Sequence, residues 1–277
     1  MSDLIYDVGL FDGGDTAYYL FRGYRVVAID ANPVMIEKAR LRFAKEIAEG
    51  RLTLVNAGIS KDPGETTFWI SDLPEWSSFD KTIASRDNTS HKPVTIACVP
   101  FSRILAEHGI PHYLKIDIEG NDRLCVEALD PGALPKYISV ESECAGDGEI
   151  LSEEDSLEML RLLRDTGYRR FKLVSQGSWS AVRASAAGDL LRRAIARFSP
   201  QRGDKAKVER LGFPFTAGSS GPFGEDIPGD WMSFDQVRAA YLRTRRKYFA
   251  QPRPSYSFWY DWHATGAIAA HIRIPAR

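Results

Sequence analysis

Three acidic side chains share one glycine-rich loop near the amino terminus, Asp7-Val8-Gly9-Leu10-Phe11-Asp12-Gly13-Gly14-Asp15-Thr16. Gly9, Gly13 and Gly14 let backbone approach a ligand closely, and a helix begins just behind them. A further acid, Asp30, follows 23 residues after Asp7, with Ala31 and Asn32 beside it. In an open α/β sheet, ligands bind beyond the carboxyl ends of the strands. An acid at the end of the second strand accepts hydrogen bonds from both hydroxyls of a ribose, so the two features together point to an adenosine-bearing cofactor. The dinucleotide fingerprint Gly-x-Gly-x-x-Gly is not met, because Phe11 stands where the second glycine must admit a pyrophosphate. Three carboxylates also make a poor pyrophosphate cradle: one carboxylate ~6 Å from a phosphate charge, at an effective dielectric of ~20, costs roughly 3 kcal/mol. They suit a cofactor bearing an ammonium and a sulfonium, S-adenosylmethionine. No Gly-Lys-Ser/Thr motif supports ATP hydrolysis. Alone, the loop would read equally well as a tight turn before a capped helix; Asp30 weighs against that.

Asp117 and Glu119 close a strand over Tyr113–Ile118. Side chains two apart face the same side of a strand. Both therefore reach the methyl-transfer site, Asp117 to orient the cofactor and Glu119 to steer or deprotonate a hydroxyl. The alternative is an acid pair that caps the helix starting at Asn121 and pairs with Lys115 or an arginine. A divalent cation would need a third ligand, and none is evident, so no metal is expected. Glu141 and Glu143 repeat the strand-end pattern, as substrate-side acids or as solvated rim charges. His263, in the aromatic run Trp259-Tyr-Asp-Trp-His263, is a candidate base poised near neutrality; a core histidine bonded to backbone is the alternative. His91, His108, His112 and His271 have no partner pattern.

Alternating apolar runs and helical patterns must position these residues. Strands are expected at Leu4–Val8, Arg25–Ile29, Leu52–Asn56, Val94–Val99, Tyr113–Ile118, Tyr137–Glu141 and Arg169–Val174. Helices are expected at Thr16–Phe21, from Pro33 behind an Asn32 cap to Gly50, near Ser102–His108, at Asn121–Leu129, and after a Ser152/Asp155 capping box to Gly167. Between the third strand and Pro93 the rhythm breaks, with a β-rich Thr66–Ile70 and a polar loop whose Trp76, Ser77 and Ser78 could close over the cofactor, local packing being the commoner role for such a tryptophan. This alternation is the signature of a mainly parallel sheet with helices on both faces.

Beyond Val174 the character changes. Ala181–Arg210 holds eight basic residues against three acidic ones, Gly212–Gly229 is rich in Gly, Pro and Ser, and Phe234–Phe249 reads as a basic helix. This helix is expected to be a solvated face or to engage an anionic group on a substrate, with nucleic acid a weaker reading. Phe258–Trp262 and Ala267–Ile274 would return a hairpin to the sheet.

The chain has 277 residues, 36 Lys+Arg against 37 Asp+Glu, a net charge of −1 and 44% apolar residues, an ordinary globular composition. No basic excess supports general nucleic-acid binding, and no run approaches the ~18 apolar residues of a membrane span. Asp3, Asp7 and Asp12 precede the first arginine, so no leader peptide is expected, nor a membrane partner. Cys98, Cys125 and Cys144 are widely spaced, read as structural thiols and fit a cytoplasmic setting.

Asp7-Val-Gly-x-x-x-Gly13, Val27-Ala-Ile-Asp30-Ala-Asn-Pro33, Asn56-Ala-Gly-Ile-Ser60 and Leu114-Lys-Ile-Asp-Ile-Glu-Gly120 resemble the FkbM family of methyltransferases across residues 4–175. The chain departs from the usual family pattern at Leu10-Phe11 and at Gly14-Asp15-Thr16. The resemblance implies a Rossmann-like class I fold and S-adenosylmethionine as cofactor, usually with oxygen as acceptor. It also implies that Asn56, Ala57 and Gly58, after the third strand, lie near the adenine edge. Together these readings give a cofactor site of Asp7, Gly9, Asp12, Gly13, Gly14, Asp15, Thr16, Asp30, Ala31, Asn32, Asn56, Ala57, Gly58, Ser78 and Asp117, with Asp117, Glu119 and His263 as the catalytic set. Residues 1–175 form the cofactor core, 176–256 a lid or substrate-specificity insertion, and 257–277 a return to the sheet. The expected reaction is O-methylation of a hydroxyl on a small, sugar-containing or anionic acceptor. The rivals are an NAD-dependent enzyme on the same sheet and a non-catalytic adenosine-binding protein.

Overall fold

The computed structural model describes residues 3–118, 120–142, 145–146, 149–216, 218–251 and 258–266. The second arm of the expected hairpin, Ala267–Ile274, and Glu119, Glu143 and Cys144, lie outside them. In chain order the strands are β1 (Leu4–Val8), β2 (Arg25–Asp30), β3 (Leu52–Asn56), β4 (Gly58–Ile59), β5 (Gly64–Ser71), β6 (His91–Val99), β7 (Tyr113–Ile116), β8 (Tyr137–Glu141), β9 (Ala145–Gly146), β10 (Glu149–Ile150), β11 (Arg170–Ser175), β12 (Ser180–Ala181) and β13 (Tyr260–Thr265). The helices are α1 (Gly14–Phe21), α2 (Pro33–Arg42), α3 (Ala44–Ala48), α4 (Lys81–Ala84), α5 (Phe101–His108), α6 (Asp122–Glu127), α7 (Glu158–Thr166), α8 (Ala186–Phe198), α9 (Asp204–Glu209) and α10 (Phe234–Phe249).

The large sheet runs β3-β2-β1-β7-β8-β13-β11-β12. Its first five strands are parallel, and β13 inserts antiparallel between β8 and β11. The expected Phe258–Trp262 strand is thus displaced to Tyr260–Thr265, and its partners are β8 and β11. A smaller sheet of β4-β6-β5 carries the chain from Gly58 to Val99. The expected single helix from Pro33 to Gly50 breaks at Phe43 (φ −110°), which turns its ring into the core. Asn32 caps α2 as its sequence implies, accepting from Val34 N at 3.0 Å.

Side-chain alternation divides the sheet into two packed faces. On one face, Tyr6, Val8, Leu114, Ile116, Val140 and Trp262 meet α5, α6, α7 and α10. On the other, Ile5, Tyr113 and Tyr137 meet α1, α2 and Phe223. Phe223 stacks on Tyr113 at 4.2 Å between centroids. Cys98 and Cys125 are buried.

Among the described residues of 176–256, the span expected to be a lid or substrate-specificity insertion, α10 and 219–224 pack into the main fold. Helix α10 buries Val237, Ala240 and Tyr241 in the main core. Its arginines are engaged internally: Arg243 donates to Asp189 and to the Arg183 and Ala184 carbonyls, and Arg245 donates to the Leu151 carbonyl. The helix is therefore a structural layer, and these two cations are not offered to an anionic acceptor. Residues 219–224 are buried, and Met232 bridges to Phe171. Helix α8, in contrast, has no buried residue. Among the described residues, limited digestion with the broad-specificity proteinase K should therefore cut first in α8, and residues 219–228 should resist as long as the sheet does. Early cleavage of 219–228 would contradict this packing.

Candidate functional site

Strand register sets Asp7, Lys115, Ser139, His263 and Lys172 side by side in one row on the α1 face of the sheet. All five are buried. Lys115 Nζ donates to the Gly9 carbonyl at 2.6 Å and lies 3.2 Å from Asp7 Oδ1 and 3.7 Å from Asp117 Oδ2. Burial opposes the Lys115 charge, but the carboxylates of Asp7, Asp117 and Asp15 outweigh it and raise the pKa above the ordinary lysine value. Asp7 Oδ2 accepts from Thr16 Oγ1 at 2.6 Å, while Oδ1 faces the ammonium without an aligned hydrogen bond. Asp7 and Thr16 thus tie β1, β7 and α1 together beneath the loop.

His263 lies in mid-sheet, 1% exposed, between Ser139 and Lys172. Burial, aided by the Lys172 charge, pushes its pKa down to about 3. It is not a base poised near neutrality. The reason is strand direction: in antiparallel β13 the early residues lie at the carboxyl edge of the sheet, and His263 lies two residues inside it.

Asp261 holds that edge position, opposite Glu141 at the end of β8. Its Oδ1 accepts from Gln176 Nε2 at 2.9 Å, and its buried Oδ2 has no hydrogen-bond partner. Burial, reinforced by the Asp117 charge, pushes the carboxyl pKa up to about 7. Asp117 stands two residues beyond Lys115's neighbour row, as Asp261 stands two from His263. The two acids therefore belong to the same face at the same edge.

The cofactor end is built by the β1–α1 turn. Gly9 (φ +87°) and Leu10 donate to the Ile29 carbonyl at 2.9 and 3.1 Å. A Cβ on Gly9 would lie 1.7 Å from the Asp117 carbonyl oxygen, so only glycine lets the turn meet the end of β7. Asp30 receives Phe11 N at 2.9 Å and Asn32 N at 2.7 Å, one on each carboxylate oxygen. Burial pushes its pKa up to about 6 against these two donors. Asn56 Nδ2 donates to the Asp30 and Ala31 carbonyls at 2.9 and 3.2 Å, joining the ends of β2 and β3. Asp12 is exposed on the turn and accepts from Gly14 N at 2.8 Å.

Other expected contacts have different tasks. Asp15 accepts from Ser219 Oγ at 2.7 Å and Ser220 N at 3.0 Å, which fastens the 219–221 segment onto α1. Burial raises its pKa, with Lys115 opposing and Asp7 adding to the rise. Gly13 sits where a Cβ would meet the Phe43 ring at 2.7 Å, and Gly58 where one would meet Phe79 at 2.3 Å. Asn32 is buried as the α2 cap, Ala57 is buried, and Ser78 is buried, its Oγ accepting from Asp80 N at 3.1 Å. Sequence reasoning missed Asp261, Gln176 and the Ser219/Ser220 anchor; reading the last strand as antiparallel would have found the first.

Each Asp30 oxygen keeps a lone pair after its backbone bond, as a vicinal ribose diol requires. Glycine-only backbone opens beside it, and the partly exposed Asp117 carboxylate adds negative charge at the same edge. This set of acceptors fits S-adenosylmethionine.

One comparison with known proteins shows the family. The model of the FkbM methyltransferase domain matches residues 7–170, more than half of the chain. No match is found among curated proteins. Among solved structures, the [4+2]-cyclase SpnF is similar at 11% identity over 96% of this chain and 76% of that one, with a TM-score of 0.40. A methyltransferase from Geobacter sulfurreducens, solved with S-adenosyl-L-homocysteine, is similar at 14% identity over 95% and 83%, with a TM-score of 0.32. Precorrin-6y C5,15-methyltransferase from Geobacter metallireducens is similar at 16% identity over 62% and 67%, with a TM-score of 0.33. These likenesses are loose, and the family assignment does not rest on them. By its family match, the chain belongs to the FkbM family of S-adenosylmethionine-dependent methyltransferases.

Proposed function

We propose that the enzyme methylates a hydroxyl oxygen of a small acceptor and that Asp261 takes the proton. The observation that carries this reading is a buried carboxylate at the carboxyl edge of the sheet with one oxygen held by Gln176 and the other without a partner. When bound, S-adenosylmethionine supplies a methyl group on a sulfonium already activated by its charge. The protein's task is then alignment and proton removal. Asp30 would accept the ribose hydroxyls, Lys115 holds the Gly9 turn and Asp117 in place, and Asp261 Oδ2 would accept the acceptor's proton. Glu119, expected from the sequence to serve the acceptor, would steer its hydroxyl, and Glu119→Gln should lower turnover while S-adenosylhomocysteine still binds.

Incubation with methyl-labelled cofactor and a panel of alcohols, sugars and amines tests the reading. Label on oxygen supports it; label on nitrogen alone contradicts it. Asp30→Ala should weaken S-adenosylhomocysteine binding roughly tenfold to a hundredfold, because charge-assisted hydrogen bonds contribute ~1.5–3 kcal/mol. The free variant should also melt lower, since Phe11 N and Asn32 N lose their acceptor. Unchanged affinity would remove Asp30 from the site. The raised Asp30 pKa, about 6, adds a pH signature. Ribose donors favour its carboxylate, so binding should strengthen as pH rises from about 5 to about 7 and release a proton, read as buffer-dependent heat.

A further inference from the structure

Helix α8 is packed the wrong way round for a surface helix of a globular protein. Such helices turn an apolar stripe to the core and charges to water. Here Ala187, Leu190, Leu191, Ala194, Ile195 and Phe198 follow a three-and-four spacing along one stripe, and that stripe faces solvent. Leu190 is 65% exposed, Leu191 63%, Ile195 37% and Phe198 77%. The polar side is the side that is tied down. Asp189 accepts from Arg243 Nη2 at 3.1 Å and from Arg183 N at 3.2 Å, and Ser185 caps the helix through Gly188 N at 3.0 Å. The outward stripe is therefore fixed by ion pairing to α10.

The charge beside the stripe indicates what covers it. Arg193 and Arg197 are exposed along one edge of α8, and Arg202 is exposed just past its end. The nearby acids are engaged elsewhere, Asp189 by Arg243 and Asp204 by Arg183. The chain as a whole carries a net charge of −1, so this positive edge is local. Two copies paired antiparallel through the stripe would bring their arginine edges to the same side and repel. A bilayer leaflet with anionic headgroups accepts both features, apolar side chains below the phosphates and guanidinium groups level with them. None of the described helices is long and apolar enough to cross a membrane, so the contact would be in the interface plane.

We propose that α8 docks the enzyme onto an anionic phospholipid surface. The sequence alone gave no reason to expect a membrane partner, because the stripe is short and its orientation depends on Asp189 and Arg243. Vesicle flotation with the full chain tests this, using phosphatidylcholine alone against phosphatidylcholine mixed with phosphatidylserine. The wild type should float with the mixed vesicles, more weakly as salt rises from roughly 0.05 to 0.5 M, and little with phosphatidylcholine. Leu190→Ser with Phe198→Ser should lower partitioning roughly tenfold or more. Arg193→Glu with Arg197→Glu should lower it by at least about fivefold per residue. All four side chains are exposed, so melting should stay within a few degrees of wild type and keep the result readable. Failure of the wild type to float, equal floating on both vesicle types, or undiminished floating of both double variants would overturn the proposal. So would a stable dimer in light scattering that Leu190→Ser with Phe198→Ser dissociates, because self-association would then be what covers the stripe.

Discussion

Asp261→Asn should lower methyl transfer by ~10²–10⁴-fold, the usual loss on removing a general base, while S-adenosylhomocysteine still binds. The amide is nearly isosteric and keeps an oxygen for Gln176, so the change removes a proton acceptor without opening a cavity. The same substitution should stabilise the protein at neutral and higher pH. The folded carboxyl has its pKa raised to about 7 by burial and by the neighbouring Asp117 charge, against ~3.9 in an unfolded chain. Stability from the protonated form is fully present below the unfolded value and is lost as pH rises through the folded one. The wild type therefore gives up on the order of 2–4 kcal/mol across that window, and the asparagine variant does not. Melting curves at about pH 4 and about pH 8 read this difference, which should appear only at the higher pH. Wild-type turnover should climb through about pH 7 as the carboxyl ionises. Full turnover in the variant, with acceptor saturating, would leave alignment alone as the mechanism.

Lys115→Met should be the most destabilising single change at the site, by roughly 3–5 kcal/mol. The methionine fills the volume, but Asp7 is left wholly buried opposite no cation, and Asp117 and Asp15 lose the charge that offsets them. Asp7→Asn in the same chain should recover a large part of that loss, because the buried anion is then gone and the Thr16 hydroxyl still has an acceptor. Such recovery is a coupling between contacting residues, which a double-mutant cycle isolates. Chemical denaturation of the three variants reads it. A single variant within ~1 kcal/mol of wild type would mean that Lys115 is not what neutralises this row.

The parallel half of the sheet was legible because its signals are local. Apolar runs bounded by Gly9, Asp30 and Asn56 give β1 to β3, and Asn32-Pro33 marks the start of α2 through its own hydrogen bond. Asp30 was legible for the same reason: it ends a strand beside a glycine turn. What failed depends on pairing between distant segments. Asp15 reads as a loop acid until Ser219 and Ser220, some two hundred residues later, close on it. Asp261 and His263 are two residues apart, and only the antiparallel insertion of β13 decides which reaches the edge and which is buried in mid-sheet. The basic composition of α10 suggested an anionic ligand, but Arg243 and Arg245 find internal acceptors in Asp189 and the Leu151 carbonyl. Glycine-rich character in 212–229 suggested part of a lid or specificity insertion, whereas Phe223 from that stretch is stacked in the core.

Titration calorimetry of the wild-type chain with S-adenosylhomocysteine and, separately, NAD distinguishes a methyl-donor site from a dinucleotide site. The β1–α1 turn and Asp30 should take up one S-adenosylhomocysteine per chain in the micromolar range, and NAD should give no binding heat because Phe11 stands where the second glycine must admit its pyrophosphate and Asp12 is exposed on the same turn. Absence of S-adenosylhomocysteine binding, or NAD binding of equal strength, would mean that the turn and Asp30 do not form a site for S-adenosylmethionine.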